Sequence, residues 1–228
     1  MKTLQPGAGV TAGYLATLPA FAKLTDDDRE LLSSEAYLQR FDKGERVFSM
    51  GEPASQLVCL VQGSARVYRL RPDGKEKVIH LVSAPALMGE APTLTGGIYP
   101  SSADCTTECL LVSIPRKVLL DTAVRLPDLP WRMMAQLFSR LRELTSSLEA
   151  HSQQSGAVRV ASFLIGLGHG KEAVDLPAAK KDVANYLGLR AESFSRALKA
   201  LQAARAIEVT DRQIRIVDRE RLEAVLAD

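Results

Sequence analysis

One stretch limits what this chain can fold into more than any other: Lys180–Lys199, KKDVANYLGLRAESFSRALK. Two segments of helical period meet at Gly188, and glycine alone takes the left-handed backbone of a tight turn without steric cost. Val183, Leu187, Leu189 and Phe194 fall on the inner faces of the two segments, and Ala197 follows them. Ala184 supplies the small side chain that two closely crossing helices require. The pattern is that of a helix-turn-helix, with a first helix over roughly 180–187 and a second over roughly 191–205. Glu192, Ser195, Arg196 and Lys199 follow i, i+3, i+4, i+7 spacing and so share the outward face of the second helix.

The chemistry of that face suits the major groove of a duplex. An arginine at 196 can grip guanine O6 and N7 with two bonds, Glu192 can accept from cytosine N4, and Ser195 can serve either base. Lys199, with Lys180 and Lys181 at the start of the first helix, suits phosphates, which position a protein without reading sequence. Arg190 and Ser193 border the same face and complete the candidate DNA-contacting set. A solvated charged face on an ordinary surface helix needs neither the turn glycine nor the inner apolar set.

The flanks extend the unit. Val158, Val160, Ala161, Phe163, Leu164 and Leu167 predict an apolar helix from Gly156 to Gly168, and Val174–Pro177 reads as a short strand. Ile207–Val209 and Ile214–Val217 alternate around 210–213 as a hairpin, the wing of a winged helix, and Asp218 is placed to N-cap a terminal helix reaching Leu226.

Upstream, the period changes to two. Segments 36–41, 45–49, 56–62, 65–71, 76–82, 101–105 and 109–114 read as strands, with a clear hairpin around Pro72–Asp73–Gly74. Many short, regularly spaced strands predict an antiparallel sandwich or jelly roll. Residues 85–100 break the pattern with glycines, prolines and the lone acid Glu90, as a ligand-holding loop would. Residues 1–12 are expected to lack regular structure, and 14–24 to hold a short helix interrupted by Pro19. Thr25 and Asp28 then make a capping-box-like helix start.

Between the halves, 115–124 predicts a short helix and 128–154 a long one. Leu137, Leu141, Leu144 and Leu148 recur in steps of four and three, flanked by Arg140, Arg142, Glu143 and Glu149. A heptad seam with such flanks points to a homodimer, and paired recognition helices fit a palindromic duplex. The expected architecture is α+β: a sensor barrel with short N-terminal helices over 1–127, a dimerisation helix over 128–154 and a winged helix over 155–228.

A net charge of +2 is too small to name a partner, but it is uneven: 24–35 is acidic, and 180–221 is rich in Lys and Arg. Three cysteines, Cys59, Cys105 and Cys109, make neither a disulfide framework nor a metal quartet. Three histidines are too few for a cupin-type metal site or a nucleophilic triad, so the chain is not expected to be an enzyme. No apolar run spans a membrane and no leader pattern is present, so a cytoplasmic protein without a membrane partner is expected.

Barrel, leucine-rich helix and winged helix in this order resemble the CRP/FNR family of bacterial transcription regulators. The residues that carry the resemblance are Phe41-Asp42-Lys43-Gly44-Glu45, Gly51-Glu52, Gly63, Asp73-Gly74 and Gly89-Glu90, with Ala184, Gly188 and Glu192-Ser193-Phe194-Ser195-Arg196 downstream. The Glu-x-x-Ser-Arg arrangement looks like the FNR and DNR branches, which read TTGAT- or TTGAC-type half-sites. The resemblance implies base contacts by Glu192, Ser195 and Arg196, and RNA polymerase as a further partner. It also implies an effector pocket around Gly89, Glu90, Ser101, Ser102 and His80.

Two family signals do not carry over. Cyclic-nucleotide binders hold the phosphate with an Arg beside Ser or Thr, and here Pro100 precedes Ser101-Ser102, so cAMP is not expected. An iron–sulfur cluster needs four thiolates, and the chain has three cysteines, none in residues 1–30. The resemblance to the DNR branch leaves a haem sensing nitric oxide, with His80 as candidate axial ligand. A non-haem small molecule, thiol oxidation, or a ligand-binding subunit without a DNA function are the alternatives.

Overall fold

The computed structural model describes residues 2–4, 8–135, 137, 138, 141, 155–168, 171–211 and 213–226. It divides into two compact units, Met1–Arg142 and Glu143–Asp228. The division falls inside the segment expected to form the long helix.

The first unit is a sandwich of two antiparallel sheets. One sheet runs β1 (Lys2–Leu4), β2 (Tyr37–Phe41), β9 (Cys109–Pro115), β4 (Gln56–Gln62) and β7 (Ala86–Met88) from edge to edge. The other runs β3 (Arg46–Phe48), β8 (Ser102–Cys105), β5 (Ser64–Leu70) and β6 (Glu76–Ser83). The central strand β4 is apolar from Leu57 to Val61 because both of its faces are covered. Leu57, Cys59 and Val61 enter a core shared with Leu15, Leu18, Phe21, Leu32 and Leu119 of the helical layer. Val58 and Leu60, their alternate neighbours, enter the sandwich interior with Phe41, Phe48, Ala65, Val82 and Leu111.

The helical layer comprises α1 (Ala8–Ala16), α2 (Asp26–Ser33) and α4 (Arg116–Arg125), while α3 (Glu90–Thr95) follows β7. Thr25 caps α2 as expected: its hydroxyl accepts from the Asp28 amide at 3.2 Å. A further helix, α5, begins at 128, and its described residues are 128–135, 137, 138 and 141. Leu129 and Met133 of α5 are buried in the helical-layer core, whereas Trp131, Phe138 and Leu141 are exposed.

On the second sheet, Asp104 of β8 accepts from two arginines of neighbouring strands, Arg46 Nε and Arg66 Nη2, the latter at 3.1 Å. The Arg66 guanidinium lies 4.6 Å from the centre of the Tyr68 ring, and Arg46 Nη2 donates to the Tyr68 hydroxyl at 2.6 Å.

Three expectations for this unit change. Residues 1–12 are not without regular structure: β1 pairs antiparallel with β2, Thr3 opposite Gln39, and α1 begins at Ala8. An otherwise open sheet edge takes the strand, and α1 is held by burying Thr11, Ala12 and Leu15. Pro19 interrupts no helix, because α1 has ended at Ala16. The 85–100 segment is a strand and a helix rather than a plain loop, β7 pairing with β4 through Leu87 opposite Cys59.

The second unit is a winged helix. It comprises α6 (Gly156–Gly168), β10 (Ala173–Asp175), α7 (Lys180–Tyr186), α8 (Ala191–Ala203), β11 (Ile207–Thr210), β12 (Gln213–Ile216) and α9 (Arg219–Ala224). Its sheet runs β10-β12-β11, with β11 and β12 forming the expected hairpin. Asp218 caps α9 by accepting from the Arg221 amide at 3.0 Å.

Candidate nucleic-acid interface and effector cavity

The helix-turn-helix is built at Gly188. Its φ of +66° is the left-handed conformation that ends α7. The Leu189 amide reaches back to the Ala184 carbonyl at 2.8 Å and the Gly188 amide to that of Asn185 at 3.1 Å. This pair of bonds is a Schellman termination, which satisfies carbonyls the helix end would leave open. A third carbonyl, that of Leu187, accepts from Arg159 Nη1 of α6 at 3.1 Å. Arg159 is a residue the sequence did not flag, since it lies on another helix far up the chain.

Helix α8 then presents two faces. Phe194, Ala197, Leu198 and Leu201 are buried, and Glu192, Ser195, Arg196 and Lys199 are exposed, as their spacing requires. Arg190 and Lys181 are exposed; Lys180 and Ser193 are half-buried. Ser193 has a defined role: its hydroxyl accepts from Arg196 Nη2 at 3.2 Å. Leu189, expected fully inside, is half-buried, with its methyls 3.5 Å from the Cβ that Gly156 lacks. On the wing, Arg215 Nε and Nη2 both donate to Glu208 Oε2, at 3.1 and 2.7 Å.

In the first unit a cavity of about 180 Å³ opens between β6, β7, α3 and the chain leading to β8. His80, Gly89, Glu90 and Ser101 line it, as expected, together with Phe48, Met88, Tyr99 and Leu137. One expectation is corrected. Ser102 does not line the cavity; its hydroxyl accepts from the Met50 amide at 3.0 Å, because consecutive strand residues face opposite ways. Leu137, expected on the dimer seam, is half-buried and lines the cavity. The exposed apolar residues among the described part of α5 are Trp131, Phe138 and Leu141, spaced seven and three, with Met134 half-buried. Leu144 and Leu148 lie outside the described residues.

The cavity wall is held tightly. Tyr99 stacks on Phe48 with ring centres 4.1 Å apart, and its hydroxyl donates to the Gln56 carbonyl at 2.9 Å. Burial pushes the Tyr99 phenol up. Gly89 has φ +73°, and a Cβ there would stand 2.6 Å from Tyr99 Cε1. Glu90 opens α3 and is buried. Arg116 fixes the other end of α3, Nε donating to the Thr93 carbonyl at 2.7 Å and Nη2 to that of Leu94 at 3.3 Å. Among the described residues lining the cavity none is Lys or Arg; Arg69, two residues after the lining Val67, donates through Nε to the Pro100 carbonyl at 2.7 Å.

Comparison with known proteins follows this division. Residues 38–125 match the cyclic nucleotide-binding domain family, and residues 158–225 match the Crp-like helix-turn-helix domain family. The nitrogen fixation regulation protein FixK of Azorhizobium caulinodans is 30% identical over 193 residues, which cover 80% of this chain and 76% of FixK. The chain belongs to the CRP/FNR family. Another CRP/FNR relative, the transcriptional activatory protein AadR of Rhodopseudomonas palustris, is 28% identical over 207 residues, covering 88% of this chain and 85% of AadR. Among solved structures, a candidate cAMP-binding regulatory protein from Silicibacter pomeroyi DSS-3 is 30% identical with a TM-score of 0.69, over 96% of this chain and 99% of that one.

As a CRP/FNR protein, the chain is a DNA-binding transcription regulator and not an enzyme. The matched helix-turn-helix sets aside a ligand-binding subunit without a DNA function. Among the described residues no helix is long and apolar enough to cross a membrane.

Proposed function

We propose that this regulator binds, as a homodimer, a palindromic duplex with TTGAT- or TTGAC-like half-sites, with α8 in the major groove and RNA polymerase as its further partner. The observation that carries the reading is the outward face of α8, where Glu192, Ser195 and Arg196 stand exposed beside Lys199. The exposed apolar residues of α5 support the dimer: Trp131, Phe138 and Leu141 stand seven and three residues apart, as heptad positions do. The test is titration of a duplex carrying inverted TTGAT half-sites, read by fluorescence anisotropy beside a scrambled duplex of equal length. Equal affinity for the two duplexes at physiological salt would remove the base-reading role from α8.

The cavity is read as the sensor, taking a small uncharged ligand. Its lining supports this, because among the described lining residues an anionic cyclic phosphate would meet no cation to offset its lost hydration. This cavity of about 180 Å³ is also smaller than the roughly 300–1,000 Å³ of sites that hold drug-sized ligands.

A haem sensing nitric oxide is the second reading, favoured by the position of His80 in the cavity wall. An imidazole is a fitting axial donor, and the iron would supply the gas-binding position. The space does not fit a macrocycle unless α3 and β7 part from the wall. Haem titration of the oxygen-free protein, read by absorbance beside His80→Ala, separates the readings. A saturable one-per-chain Soret shift that His80→Ala abolishes selects haem, and a non-saturating titration selects the uncharged ligand.

A further inference from the structure

Apart from the cavity and the α8 face, the described residues hold one cluster of nucleophilic side chains, where the chain passes from β8 to β9. Cys105 ends β8, Cys109 begins β9, and Thr106, Thr107 and Glu108 join them. The two strands belong to different sheets. Cys105 is in register with Ala65 of β5, and Cys109 with Phe41 of β2.

The crossing segment folds around Ser64. The Thr106 and Thr107 amides donate to the Ser64 carbonyl at 2.8 and 3.4 Å, and the Ser64 amide donates to the Thr107 hydroxyl at 2.9 Å. Cys109 Sγ donates to the same Ser64 carbonyl at 3.1 Å. That wrap sets both cysteine side chains in the sandwich core beside Ser64 and Ala65. Both cysteines are free and buried. The cover over them is thin: Thr107 is half-buried and Glu108 exposed.

We propose that Cys105 and Cys109 are a redox-active dithiol that a hydroperoxide converts into an intramolecular disulfide joining the two sheets. The Cys109 thiolate attacks the terminal peroxide oxygen; an S–O bond forms, the O–O bond breaks, and the departing oxyanion takes a proton to leave as water or an alcohol. The Cys105 sulfur then attacks the sulfenic sulfur; the S–S bond forms, and hydroxide leaves with the Cys105 proton as water. Two electrons pass from the two sulfurs to the peroxide.

The surroundings assign the attacking role to Cys109. Pairing with the neighbouring Cys105 holds its thiol down, with Thr107 helping, while burial opposes. The same pairing, with burial, pushes the Cys105 thiol up. Cys59 takes no part: it lies in the separate helical-layer core, where burial pushes its thiol up. Nothing in this inference depends on what the cavity binds.

The test uses the reduced full-length protein, exposed to stoichiometric hydrogen peroxide, then unfolded in an alkylating reagent and digested for mass spectrometry. Two of the three thiols per chain should be lost. The peptide spanning 105–109 should be lighter by two hydrogens, and dithiothreitol should restore it, with Cys59 alkylated throughout. Cys105→Ser should stop at a Cys109 sulfenic acid that dimedone captures, and Cys109→Ser should yield neither product. Should a serine variant fail to fold, the wild-type mass readout decides alone. Retention of all three thiols under peroxide, or a disulfide between two chains in place of the internal one, overturns the proposal.

Discussion

Arg159 and Leu187 are tied by a 3.1 Å hydrogen bond from a guanidinium on α6 to the last carbonyl before the helix-turn-helix glycine. The bond supports a turn that must hold two helices at one angle. Arg159→Met keeps most of the aliphatic packing and removes the donor, so it should destabilise the C-terminal unit by about 1–2 kcal/mol. Denaturant unfolding followed by a probe in that unit measures it. A midpoint equal to wild type would show that water replaces the guanidinium at no cost.

Arg196 and Lys199 share a face but should fail differently. Arg196→Ala should cost on the order of 1–3 kcal/mol on the specific duplex and relax base preference at one position of each half-site. Lys199→Ala should weaken binding across all sequences and flatten the salt dependence by about one unit of slope. Titrations at several salt concentrations, on specific and scrambled duplexes, distinguish the two.

Phe138 and Leu141 are each 55% exposed in the single chain. Aspartate at both positions should therefore leave the first unit folded and yield monomers in sedimentation. A double variant that still sediments as a dimer would place the interface elsewhere.

Asp104 joins three strands of the second sheet, and its side chain is only 10% exposed. Asp104→Ala leaves Arg46 and Arg66 facing each other without the shared carboxylate. Arg46 is half exposed and Arg66 keeps Glu76 at 2.6 Å, so the expected loss is about 1–3 kcal/mol, below that of a fully buried pair. Thermal melts of the wild type and variant, compared in low and high salt, provide the measurement.

The helix-turn-helix was legible because its constraints are local. A left-handed turn, a close crossing and an apolar stripe each leave a residue type at a fixed offset, and Gly188, Ala184 and Phe194 carry them. The longer strands of the first unit, β2, β4, β5, β6, β8 and β9, were legible for a similar reason, alternation over several residues. Strands β1 and β7, of three residues each, are too short to show a period and exist because β2 and β4 offer them a partner. The cavity was half legible: Gly89 and Glu90 announced it, but Tyr99 and Leu137 reach it only through tertiary packing. Ser102 was misplaced because two adjacent serines read alike until the facing of the strand is known. That Leu137 also lines the cavity was not legible, because alternating steps of four and three fit a helix packing on its own domain as well as they fit a seam.

Leu137 and Phe138 are consecutive on α5, one in the cavity wall and the other open to solvent. About 100° of helix separates them, and a hydrogen-bonded helix has no slack between neighbouring residues. Whatever turns the first about the helix axis turns the second through the same angle. A rotation of α5 that moved Leu137 in the cavity wall would therefore re-aim the exposed Phe138 ring by the same angle.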